Sequence, residues 1–138
     1  MGGMTMINST ALAAWSPKVL SVFRIVTGLL FIQHGTQKIF GFPAEARGPF
    51  DIMSQMGIGG VLELVGGALI ILGLFTRPTA FILSGMMAVA YWQFHAPGDL
   101  YPLNNGGELA IMYCFAFFYL IFAGPGPWSL DAMLRRRV

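Results

Sequence analysis

The chain has 138 residues, 56% of them hydrophobic and 10% charged, with a formal net charge of +2. A soluble domain usually carries about 25% charged residues, so this composition excludes an ordinary water-facing surface and points to lipid as the solvent. The small positive charge gives no face for nucleic acid, and the single Cys114, inside an apolar run, excludes an internal disulfide and reads as a small apolar filler.

The N-terminal stretch MGGMTMINSTALAAWSP has no basic residue before Lys18 and so lacks the charged head of a secretory signal. The hydrophobic segments are therefore expected to stay in the mature chain as one membrane domain over 1–138. Four such segments follow, at about 19–40, 58–75, 78–94 and 106–124. Each is close to the ~20 residues needed to cross ~30 Å of hydrocarbon, and each is too long for a strand. In lipid only helices or closed barrels satisfy the backbone, so the expected fold is all-α, an integral membrane four-helix bundle.

The first segment ends in FIQHGTQKIFGF, with Gln33, His34, Gln37 and Lys38 close together. Arg24, Thr27, Gly28, Phe31, His34, Gly35 and Lys38 share one broad stripe at helical spacing, and that stripe is expected to face the bundle, because ionisable groups facing lipid are costly. Arg24 lies about 8 Å from the start of this helix and His34 about 23 Å, at ~1.5 Å per residue. Arg24 is thus too far from the later acids to pair with them, and snorkelling to a lipid phosphate is its plain expectation. In the first loop, Phe50, Met53 and Met56 recur every three residues, so 49–57 reads equally as a short interfacial helix or as an irregular loop.

The second segment carries Gly59, Gly66, Gly67 and Gly73, and the third carries Gly85. Small residues let membrane helices approach closely, and Glu63, Gly66, Gly67, Ile70 and Leu74 share a face expected inside the bundle. Pro78, in the short T-R-P connection, can open the third helix. The third segment ends with Gln93 and His95, and the fourth begins after Asn104 and Asn105 with Glu108.

Lys18, Arg77, Arg135, Arg136 and Arg137 fall on one side of a four-span chain, and Glu45, Arg47, Asp51 and Asp99 on the other. The positive-inside rule then puts both termini in the cytoplasm, with Trp15 and Trp128 at the inner interface and Tyr91, Trp92 and Tyr101 at the outer one. His34, Lys38, Glu63, His95 and Glu108 converge near the outer side, joined by Gln37 and Asn105 as hydrogen-bonding neighbours. Plainer roles stand beside this one. Lys38 suits a headgroup anchor, Glu108 a capping box with Asn105, His95 an interfacial residue, and His34 with Glu63 a buried structural pair. Two His and two Glu are donors enough for a metal, but no tight ligand spacing exists, and no metal is assigned. No phosphate loop, nucleophile elbow or haem-attachment motif is present.

The pattern R-x-x-x-G-x-x-F-x-x-H-G-x-x-K, from Arg24 to Lys38, resembles the DoxX family. So do E-x-x-G-G-x-x-x-x-x-G-x-x-T-R from Glu63 to Arg77, N-N-G-G-E at 104–108, and G-P-G-P-W-S-L-D at 124–131. The resemblance implies a small multi-pass protein of the bacterial inner membrane, similar to the DoxD-type subunit of thiosulfate:quinone oxidoreductase. It leads to a redox-associated protein that binds a quinone or similar lipophilic molecule, with electrons supplied by a partner. His34, Lys38 and Gln37 would serve as donors to it, and Glu63 and Glu108 as proton relays. The alternatives are a non-enzymatic accessory or assembly subunit of a larger respiratory complex and, less favoured, a small transporter. Membrane lipids and either copies of itself or larger-complex subunits are the expected partners.

Overall fold

The computed structural model describes residues 8–136, and all regular structure in that range is helical. Arg137 of the terminal basic triplet, and the first seven residues of the N-terminal stretch, lie outside the described residues. The elements in chain order are α1 (Ser9–Phe40), α2 (Gln55–Leu72), α3 (Thr76–Ala90) continued by a π-helical turn (Tyr91–His95), α4 (Pro102–Asn105), α5 (Glu108–Ala123) and α6 (Leu130–Arg135).

Helix α1 starts ten residues before the expected boundary. Asn8 caps it by accepting from Thr10 N at 3.1 Å, and Pro17 lies within it. Proline removes one backbone donor from a helix interior, and that stretch of α1 is exposed, so the freed carbonyl is not buried. No interfacial helix forms at 49–57. Residues 49–54 are irregular because Asp51 and Ser54 turn the chain instead: Asp51 Oδ1 accepts from Met53 N at 2.9 Å, and Ser54 caps α2 by accepting from Gly57 N. The third apolar segment begins at Thr76 rather than at Pro78, and its last turn widens to π geometry.

Helices α1 and α2, by length and composition, can each cross a bilayer; α5 has 16 residues and is shorter. Glycines set the spacing of the α1–α2 pair. Gly28 lies against Ile71 and the carbonyl of Gly67, and Gly35 against Gly60 and Glu63. A Cβ on Gly35 would come within 2.8 Å of the Gly60 oxygen, so the two backbones touch only because side chains are missing there. The core joins this pair to α3 and α5 through Phe31, Ile70, Leu83, Tyr113 and Phe117, with Phe31 edge-on to Phe117 at 4.8 Å and to Tyr113 at 5.2 Å. The outer faces are apolar: Val22, Val26 and Leu29 on α1, Phe81 and Val89 on α3, and Phe115 and Phe122 on α5 are exposed. An apolar belt of this extent is a lipid-facing surface rather than a water-facing one.

One end of the bundle is knitted by backbone carbonyls and the C-terminal tail. Arg24 is fully buried there. Its Nε donates to Ile70 O at 2.9 Å, its Nη2 to Trp128 O at 2.7 Å, and its Nη1 to Pro125 O. Asp131 accepts from Phe75 N at 2.9 Å and Thr76 N at 3.0 Å, capping α3 where Phe75 takes a left-handed φ of 49°. Arg77 Nη1 donates to Ile121 O and Phe122 O at the end of α5. Three of the motif positions singled out in the sequence, Arg24, Arg77 and Asp131, thus close helix ends.

Candidate functional site

The opposite end of the bundle holds a half-open cavity of about 700 Å³. Its floor is apolar, with Phe31, Met87, Phe94 and Ala110, and Tyr113 rises from α5 beside them. His34, Gln37 and Lys38 enter from α1, Glu63 from α2 and His95 from the π turn. The loop between α1 and α2 supplies Arg47, Phe50 and Asp51 as a roof.

Helical spacing puts His34 and Lys38 one turn apart on the stripe that begins at Arg24. The glycine contact between α1 and α2 then brings Lys38 to Glu63. Lys38 Nζ bonds both carboxylate oxygens, at 2.7 and 2.8 Å, while the side chains stay 28% and 6% exposed. A carboxylate this buried needs a partner, and Lys38 provides it from a position that still reaches the cavity. His34 stacks edge-on to Tyr113 with ring centres 5.9 Å apart, and neither its imidazole nor the Tyr113 hydroxyl bonds another described residue. Two polar groups without protein partners among the described residues therefore border the chamber beside its apolar floor. The remaining polar residues of that α1 end are satisfied locally: Gln33 Nε2 donates to Leu29 O and Thr36 Oγ1 to Gln33 O.

His95 is half-buried, stacks on Tyr91 and has Nδ1 3.2 Å from Asn105 O. A carbonyl accepts only, so Nδ1 carries the hydrogen there and, in the neutral ring, Nε2 is the acceptor. The π turn explains how His95 arrives: one wider turn shifts the last side chains of the third segment relative to a regular helix.

Of the residues named from the sequence, His34, Gln37, Lys38, Glu63 and His95 share the cavity. Three do not join them. Arg24 sits at the knitted end and is fully buried, so it does not snorkel to lipid; carbonyls of α2 and of the tail hold it instead. Glu108 is exposed, outside the lining, and forms no capping box. Asn105 takes the capping role alone and locally, its Oδ1 accepting from Gly107 N at 2.7 Å, and its amide donates to Tyr91 Oη and Asp99 O. Among the described residues no three His, Cys, Asp or Glu side chains gather within metal-binding reach. Sequence reasoning missed Tyr113 and the roof residues Arg47 and Asp51. The available signal for Tyr113 was a phenol hydroxyl placed mid-way along a wholly apolar helix, which needs a polar partner.

The DoxX family model matches residues 19–96. An "Uncharacterized protein" of Haemophilus influenzae is 43% identical over 87% of this chain and 93% of its own length. From Escherichia coli, the "Inner membrane protein YqjF" is 30% identical over 84% of this chain and 92% of its own, and the "Inner membrane protein YphA" is 31% identical over 83% and 89%. No solved structure matches.

Proposed function

We propose that this chain, which belongs to the DoxX family, crosses the bacterial inner membrane four times with both termini in the cytoplasm and binds a quinone or similar lipophilic ligand in the cavity roofed by the first loop. The observation that carries this reading is the pairing, in one chamber of about 700 Å³, of an aromatic floor with the unpartnered His34 imidazole and Tyr113 hydroxyl. A quinone head offers a flat apolar ring and carbonyl acceptors, which is the complement of that lining. His34 and Tyr113 are the donors to its oxygens; Glu63, held by Lys38, is a buried carboxylate bordering the cavity that can relay a proton, and His95 Nε2 is a further proton acceptor. Electrons come from a partner, since the chain carries no motif for a redox centre of its own. Glu108 has no part in this scheme, because it lies on the outside of α5.

The test is equilibrium binding of a benzoquinone to the purified full-length protein in nanodiscs. Loss of one hydrogen bond is worth about 1.4 kcal/mol, so His34→Ala and Tyr113→Phe should each weaken binding about tenfold. Binding that is absent, or identical in the two variants and the unaltered protein, overturns the reading.

A role as an accessory subunit has one observation in its favour. Gly85 is exposed on α3, with nothing within 4 Å of a Cβ placed there, among the exposed Phe81, Ile82 and Val89. Such a gap suits the close approach of another membrane helix. A Gly85→Leu chain that no longer co-purifies with a larger assembly from native membranes supports this role, and unchanged recovery counts against it.

A further inference from the structure

The four long helices form a ring in which three of the four seams are closed at the level of the cavity. Lys38 and Glu63 close α1 to α2 beside the facing glycines. Gln55 Nε2 donates to Gln93 Oε1 across α2 and the π turn that continues α3. Ser84 Oγ donates to Cys114 O at 2.8 Å and His95 meets Asn105 O across α3 and the start of α5. The roof is tied at two points. Gln37 Nε2 holds Glu45 O at 3.2 Å, and the backbone of Asp51 lies on Gly57 with no room for a methyl group.

The seam between α1 and α5 is different. The two helices touch sparsely. Ring pairs bridge them: Phe23 with Tyr119, Phe31 with Phe117 and Tyr113, and His34 with Tyr113. Beyond His34, toward the roof, no hydrogen bond crosses among the described residues. Gln37 on one side and Leu109 and Ala110 on the other line the cavity directly. Leu109 lines it and is 51% exposed, so at this point of α5 a single half-exposed side chain borders the cavity. The two unpartnered polar groups, His34 and Tyr113, stand at the inner end of this gap.

We infer that the cavity is loaded sideways from the bilayer through the α1–α5 seam, with Leu109 as the gate residue, so that its ligand is a membrane-dissolved quinone whose hydrocarbon tail remains in the seam. This inference rests on the quinone reading and narrows it from any lipophilic head to a tailed, bilayer-resident one. A water-soluble substrate would instead enter past the roof loop, and a tail-less compound reports on that route.

Association rates in nanodiscs test it, using a benzoquinone with a decyl tail and the same head without a tail. Leu109→Trp should slow association of the tailed compound about tenfold and leave the tail-less one within about twofold, while Leu109→Ala should speed the tailed compound. Leu109 is half exposed, so both variants are expected to fold, and circular dichroism verifies it. Equal slowing of both compounds, or no change for the tailed one in either variant, overturns sideways entry while leaving quinone binding intact. Failure of the unaltered protein to bind either compound overturns both conclusions.

Discussion

Removing the Arg24 side chain is the sharpest perturbation of the knitted end. The guanidinium is fully buried and donates to carbonyls of Ile70 and Trp128 at 2.9 and 2.7 Å, to Pro125, and weakly to Ile71 at 3.5 Å. A hydrogen bond from a charged group contributes about 1.5–3 kcal/mol. Counting only the two bonds of ordinary length at the lower half of that range gives about 3–4 kcal/mol for Arg24→Ala. The vacated space adds to this, and water reaching the carbonyls from the tail side subtracts, so about 3–5 kcal/mol is the working range. Arg24→Lys keeps the charge but has no planar fork and cannot serve three separated carbonyls, so it should recover about half or less. Unfolding in detergent followed by circular dichroism measures the loss. Limited proteolysis between 124 and 136 shows whether the tail is released along with it. An Arg24→Ala protein within about 1 kcal/mol of the unaltered chain, with the tail equally protected, would refute the assignment of Arg24 as the clasp of that end.

Two further outcomes follow from the α1–α2 pair. A double-mutant cycle on Lys38→Met and Glu63→Gln should give a coupling energy of about 1–2 kcal/mol in unfolding experiments, below the ~3–5 of a fully enclosed pair because Lys38 keeps 28% of its surface exposed; a coupling near zero means that the ion pair does not hold the helices. Gly35→Ala should destabilise by about 1–3 kcal/mol, since its methyl group would meet the backbone of Gly60 and Glu63 rather than a side chain that can move. The same change at Gly59, where a Cβ meets nothing within 4 Å, should be neutral or slightly stabilising, and equal melting temperatures for the two variants would contradict the packing described for that face.

How much was legible in the sequence depended on the range of each interaction. Periodicity was enough to place His34 and Lys38 on one face of α1 and Glu63 beside Gly66 and Gly67 on α2, because those relations are local to a helix. The partner of Glu63 was read as His34; it is Lys38, because the glycine contact between α1 and α2 fixes which turn of α1 lies against Glu63. Arg24 could not be read this way. Its acceptors are backbone carbonyls of α2 and of Pro125 and Trp128, and every residue type carries a carbonyl, so composition leaves no trace of them. Glu108 was drawn into the cluster because depth alone was estimated; the rotation of α5, whose surface is apolar nearly all round, turns it outward. Tyr113 escaped notice for the same reason, since a helix without an amphipathic face gives no angular reference. The start of α1 was misplaced because the apolar segment was taken from residue 19, whereas a capping Asn8 starts the helix at Ser9 and carries it through Pro17.

The shortness of α5 has a consequence for the surrounding lipid. Sixteen residues rise about 24 Å, while the hydrocarbon of an average bilayer is ~30 Å thick. On the four-crossing reading, hydrophobic mismatch of about 6 Å falls on one of the two helices that flank the α1–α5 gap. On that reading acyl chains beside α5 would compress, and, if Leu109 is the gate, a molecule diffusing in the membrane plane would meet the thinnest stretch of bilayer where it enters.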